Sequence, residues 1–299
     1  MRIRLSVPLM LLVLVGFGQG ACTKKSKHSG SKAPLVKVQT SLPAPKLKAE
    51  SVTFAKKMLI VGTVQTKSTQ MQMYFTLKGP NGKVRFGGQE LRQSREEILE
   101  VNSTTVNKIK VTFQKKSEVS KQDSKTKTKT SPLQGKTFIV ETTDGEARVT
   151  DGAGKPVSEE LTRLARKEYK TLGYPDRFHQ NLPSTPLKPG QRVPALELAL
   201  KQEIADENIA DPKKKMSMTD PRVVFKGTEM RGGAKIAVFT QAMNVTIQEE
   251  GVEMVIHAQG YLHLRVKDGW KIGQEIVGVL DMMGQTEVGR IHVVETYSY

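Results

Sequence analysis

Between Val252 and Val266 the chain alternates apolar and polar residues with a period of two, and this most narrows what it can fold into. Val252, Met254, Ile256, Ala258, Leu262, Leu264 and Val266 take one parity, while Glu253, His257, Gln259, Tyr261, His263 and Arg265 take the other; Val255 is the exception. A pleated strand sorts residues this way, because successive side chains point to opposite faces. The turn signals Arg231-Gly232-Gly233, Glu250-Gly251, Lys267-Asp268-Gly269 and Met283-Gly284 punctuate the C-terminal part. Runs joined by such short turns predict an antiparallel meander with one covered face and one wet face.

The same period appears earlier. Met71, Met73, Phe75 and Leu77 share one face, with Gln70, Gln72 and Thr76 on the other. Pro80-Asn81-Gly82 follows as a turn in which glycine supplies positive φ. Ile98–Phe113 reads as one long run with a bend at Asn107-Lys108. Phe138–Glu141 and Ala147–Thr150 flank Asp144-Gly145, a strong hairpin signal. The intervening Gln114–Gly135, with its KTKTKT tract, is poor in apolar residues and reads as a flexible loop.

A helical middle interrupts the strands near residues 157–207. Ser158 is a good N-cap, Glu159 and Glu160 suit the positive helix end, and Gly173 is a natural stop. Leu161, Leu164, Ala165, Tyr169 and Leu172 form one apolar stripe. After Pro183, Pro186 and Pro189, a second helix is predicted from about Ala195 to Glu207. The expected fold is mainly β (α+β): one large curved antiparallel sheet, rich in meanders, with two helices packed on one face. Residues 46–299 form this domain.

The N-terminus carries an export signal. Arg2 and Arg4 precede an apolar stretch from Leu5 to Phe17, then Gly18-Gln19-Gly20-Ala21 and Cys22, the single cysteine of the chain. The apolar stretch spans roughly 20 Å as a helix, short of a bilayer core of about 30 Å, so residues 1–21 read as a signal peptide. Gly20-Ala21-Cys22 resembles the end of a lipobox, although Gln19 stands where an aliphatic residue is usual. The resemblance is to the bacterial lipoprotein class and covers the first 22 residues. It implies cleavage before Cys22, acylation of its thiol and anchorage in a membrane; Thr23, not aspartate, follows the cysteine, which in that class favours an outer membrane facing the periplasm. Residues 22–45, rich in Lys, Ser, Gly and Pro, read as a lipidated tether with a mean reach of about 26 Å.

The formal net charge is +17. Part of it lies in the tether, where each lysine near an anionic membrane adds roughly 1 kcal/mol to attachment. Nucleic acid is not an expected partner of an exported chain with only 5% aromatic residues and no stacking array. No active-site motif is present, so no enzyme and no cofactor is expected. Ser29–Lys32 and Ser124–Lys127 match a Ser-x-x-Lys spacing, but inside lysine-rich tracts that offer no rigid base. His257 and His263 lie about 20 Å apart along one strand, against a zinc–nitrogen bond near 2.0–2.1 Å, so they cannot share a metal.

Met71, Met73, Met243 and Met254 admit two readings. As flexible, polarisable side chains they could face an apolar ligand in a groove between sheet and helix; as filler they would complete an ordinary core. In layout the chain is similar to the periplasmic lipoprotein carriers, whose curved antiparallel sheet cups helices over an apolar cavity. The expected function is a non-catalytic, lipid-anchored envelope lipoprotein that binds an apolar ligand, a lipid or a partner protein. The alternative is a structural or assembly component touching the cell wall or anionic surfaces through its basic tracts.

Overall fold

The computed structural model describes residues 46–299, apart from 80–81, 103, 123–124, 144–145, 250 and 283. The signal peptide, Cys22 and the tether lie outside the described residues. Strands β1 (Val64–Gly79), β2 (Gly82–Asn102), β3 (Thr105–Gln122), β4 (Lys125–Thr130), β5 (Thr137–Thr143) and β6 (Glu146–Asp151) come first. Helices α1 (Glu159–Glu168), α2 (Arg177–Gln180) and α3 (Pro194–Ala210) follow. Strands β7 (Lys214–Arg231), β8 (Ala234–Glu249), β9 (Val252–Arg265), β10 (Lys271–Met282) and β11 (Gln285–Ser298) complete the chain.

All eleven strands join one antiparallel sheet in the order β6-β5-β3-β2-β1-β11-β10-β9-β8-β7, with β4 pairing β3 off that path. It is two meanders sewn together at their outer ends: the first strand pairs the last, from Thr66 opposite Ser298 to Phe75 opposite Gly289. The mainly β, antiparallel, meander-rich fold with helices on a face is thus what the chain adopts. The helical middle leaves one edge of the sheet at β6 and re-enters at the other edge with β7.

Both helical caps lie on the same sheet face. α1 begins at Ser158, whose hydroxyl accepts from the Leu161 N–H, and Ala165 and Tyr169 enter a cluster with Val111, Phe113, Phe138 and Val140. The helix ends at Glu168, ahead of the expected stop; Gly173 instead donates its N–H to the Val106 carbonyl at φ +85°. α3 starts with a proline at its first turn, where a missing N–H costs nothing. It buries Leu196, Ala199, Leu200 and Ile204 in the larger cluster, against Phe225, Phe239 and the β8–β9 core residues. The short α2, capped by Asp176, was not legible in the sequence.

Two expectations fail. The long run Ile98–Phe113 reverses at Asn102–Thr105 rather than bending at Asn107-Lys108, and the Thr105 hydroxyl donates to the Asn102 carbonyl at 2.9 Å to close the turn. Gln114–Gly135 is not an unstructured loop: β3 runs on to Gln122 and β4 returns along it, from Lys125 opposite Gln122 to Thr130 opposite Ser117. Every β4 side chain is exposed, so the backbone ladder holds the strand, with the Ser120 hydroxyl donating to the Lys127 carbonyl at 3.4 Å, and threonine tolerates the pleat. Farther on, Leu133 is fully buried, an apolar anchor the tract's composition hid. Because β4 buries no side chain, deleting Gln122–Thr130 is expected to change unfolding free energy by less than about 1 kcal/mol. Chemical denaturation of the deleted chain checks this; a larger loss would mean the ladder itself is integral to the domain.

Candidate functional site

Where the helical middle crosses the centre of the sheet, the covered face changes character. On β1 the parity that buries Met71, Met73 and Phe75 continues back to Lys67 and Gln65, and on β2 the inward parity brings Glu90, Arg92, Ser94 and Glu96. The centre of the covered face is therefore charged, flanked by one apolar cluster under α1 and another under α2 and α3.

Those charges are matched. Glu295 on β11 accepts from Lys67 at 3.1 Å and from Lys271 at 2.8 Å, and Lys271 also donates to Gln274 at 2.7 Å. Burial alone would raise the Glu295 carboxyl, but Lys271 and Lys67 outweigh it and hold it down at about 2. Burial and the Glu295 charge push the neighbouring Tyr297 phenol well up. On the other side Arg92 pairs with Glu168 at the end of α1 and donates to the Tyr169 hydroxyl at 3.2 Å. Tyr169 in turn donates to Glu96 at 2.6 Å, and Gln65 donates to Glu96 at 2.8 Å. Burial would raise Glu96, yet Arg92 and the Tyr169 hydroxyl bring it below the ordinary carboxylate range. Lys116 bridges Glu90 at 3.3 Å and Glu168 at 3.0 Å; burial nevertheless leaves Glu90 raised.

A cavity of about 130 Å³ opens over this floor. Gln65, Lys67, Arg92, Glu96 and Lys271 form its polar side. Apolar walls come from Met58 and Leu59 before β1, Ile98 and Val101 on β2, and Val106 and Ile109 on β3. The roof is the stretch Tyr169–Tyr174 with Asp176 and His179 of α2, and the rim holds Trp270 and Tyr299, whose rings lie 4.7 Å apart. Four lining residues keep buried polar atoms without a hydrogen-bond partner among the described residues: Gln65 Oε1, Arg92 Nε, Thr171 Oγ1 and His179 Nε2. A buried polar atom left without any partner costs about 1–3 kcal/mol, so these four have hydrogen-bonding capacity for a water or another polar group in the cavity.

The residues singled out in the sequence lie elsewhere. Met71, Met73, Met243 and Met254 are each at most 3% exposed and sit in the larger apolar cluster. None is among the residues lining the 130 Å³ cavity; Met243 borders a void of about 20 Å³ beside α3. Their burial fits the filler reading. The exposed-face histidines are also less free than expected. His257 is bonded to Asn244 at 2.9 Å and Asp281 at 3.1 Å, and His292 to Glu275 at 2.6 Å. Burial, with Arg231 adding to it, lowers His263 to about 4. Among the described residues no group of three or more His, Cys, Asp or Glu is placed to hold a metal.

No family model matches this chain, and no curated protein matches it. Among solved structures, one described as the structure of DynF from the dynemicin biosynthesis pathway of Micromonospora chersina aligns over 94% of this chain and 92% of that one. The identity is 9% and the TM-score 0.20, a likeness that carries no argument about fold or function.

Proposed function

We infer that this chain is a non-catalytic envelope lipoprotein, held by acyl chains on Cys22, that binds a small amphiphilic molecule in the cavity over the charged floor. The observation that carries the reading is the set of four orphaned polar atoms around a cavity with apolar walls. At about 130 Å³ the space is below the roughly 300–1,000 Å³ of drug-sized pockets and near that of an engineered cavity of about 150 Å³ that takes benzene. A ring-sized body or the end of a chain fits, and a whole lipid does not. The polar end of such a ligand would satisfy Thr171, His179, Gln65 and Arg92. The cations of the floor have carboxylate partners, Lys67 and Lys271 in Glu295 and Arg92 in Glu168, which supports recognition more than proton transfer.

Trp270, the sole tryptophan of the chain, lines the cavity and so reports its occupancy. Titrating small aromatic and short-chain acids or alcohols should change Trp270 fluorescence saturably. Thr171→Val removes one orphan with little change of shape; it should leave stability unchanged or slightly raised, since it relieves an unsatisfied buried group. The same change should weaken the ligand response several-fold. A loss of stability with an unaltered response would set the cavity reading aside. The anchor is tested apart: Cys22→Ser should release the protein from membranes and abolish labelling by a tagged fatty acid.

A further inference from the structure

The sequence spreads its lysines over tracts that read as loops; the register gathers a subset onto one face. Opposite residues in an antiparallel pair share a face. Lys78 lies opposite Lys83, Arg85 opposite Thr76, Tyr74 opposite Gly87, and Gly87 opposite Lys121. Gln93 lies opposite Lys115. The face of β1–β3 turned away from the helices thus presents Lys78, Lys83, Arg85, Lys115 and Lys121, all exposed. Among the described residues the others on it over this stretch are Gln70, Gln72, Thr76, Gln89, Leu91, Gln93, Ser117 and Val119, with Tyr74 and Gly87, and none of these is acidic. Arg290 of β11, opposite Tyr74, extends it.

Edge lysines are commonly there to block strand addition, and Lys125, Lys127 and Lys129 on β4 fit that role. Lys78, Lys83 and Arg85 also lie past the residues of β1 and β2 that pair with β11 and β3, but Lys121 sits between Gly87 of β2 and Thr126 of β4, where there is no edge to protect. Tyr74 stands among them, 49% exposed. It lies flat over Gly87, where a Cβ would come within 2.7 Å of its ring. Cations around an exposed tyrosine are the composition of a surface that meets lipid head groups.

We propose that this outer face of β1–β3 docks on an anionic bilayer surface, with Tyr74 at the head-group level and Lys78, Lys83, Arg85, Lys115 and Lys121 around it. The surface is separate from the cavity and does not depend on what the cavity holds. The tether can reach: residues 22–45 extend to about 80 Å at most. The sheet from β7, where Lys48 is bridged to Thr228, to β4 spans only about 40 Å at ~4.8 Å per strand.

The test uses the chain from residue 22 with Cys22→Ser, which keeps all the described fold and removes the anchor. Sedimentation with phosphatidylcholine vesicles is compared with vesicles that also contain phosphatidylglycerol, at low and high salt. Binding to the anionic vesicles alone, weakened by salt, is expected. Lys78→Gln, Lys83→Gln and Lys121→Gln together should weaken it at least tenfold, each cation being worth roughly five-fold. The matched change on the exposed side of α1, Arg163→Gln, Arg166→Gln and Lys167→Gln, should weaken it much less. Equal loss in both triples would show that only net charge matters and would overturn the assignment. So would equal binding to neutral vesicles, or no binding to anionic ones.

Discussion

Glu295→Gln is expected to lower unfolding free energy at neutral pH by about 3–5 kcal/mol, the range for removing one partner of a buried ion pair. Glu295 is 2% exposed and is the acceptor shared by Lys67 and Lys271, both buried. Removing its charge takes from both ammonium groups, which lie over the Tyr297 ring, the carboxylate they share. The same pairing sets the pH dependence. A carboxyl brought from 4.5 to about 2 on folding stabilises by about 3 kcal/mol when ionised, at 1.36 kcal/mol per unit. Because the folded value is the depressed one, this stability is fully present above pH 4.5 and is lost as the pH falls through about 2. The difference between the native chain and Glu295→Gln should therefore be constant above about pH 5 and shrink below it. Urea titrations at a series of pH values measure this. A gap that persists unchanged to pH 2 would mean the carboxylate is not what the lysines need.

The second large effect is expected in β9. Ile256 and Leu264 are at most 1% exposed, so Ile256→Ala and Leu264→Ala should each cost about 2–5 kcal/mol. Gln259→Ala, on the opposite face, should stay within about 0.5 kcal/mol. Arg265 shares that opposite parity, but the structure sets it apart. It is paired with Asp268 at 2.7 Å and lies over the rings of Trp270 and Tyr299 at 5.1 and 5.0 Å. Arg265→Ala should therefore cost more than Gln259→Ala and alter Trp270 fluorescence. Equal effects at Ile256 and Gln259 would contradict the assignment of faces.

The strands and most of their turns were legible because period two is written locally, residue by residue. Gly232-Gly233, Gly251, Gly269 and Gly284 all fall in the turns their positions marked, each with positive φ. Helix α1 was legible through Ser158 and its apolar stripe. What was lost depends on distant partners. The KTKTKT tract forms β4 only because β3 extends to receive it, and nothing in its own composition announces that. The cavity was missed for a different reason. Its floor is polar, and a polar residue in a half-buried strand is expected on the wet face. The signal existed: on β1 the parity of Met71 and Met73 passes through Thr69 to Lys67 and Gln65, which places a lysine inside. The methionines pointed the wrong way because apolar character marks a core as readily as a ligand face, and here they fill the core.

The most direct measurement of the central claim is native mass spectrometry of the protein purified gently from the cells that make it. A small molecule bound at one per chain, and lost when Val106→Phe fills the cavity while the fold survives, is the expected result. A chain that carries nothing, or whose bound molecule is indifferent to Val106→Phe, would contradict the assignment of the cavity as its binding site.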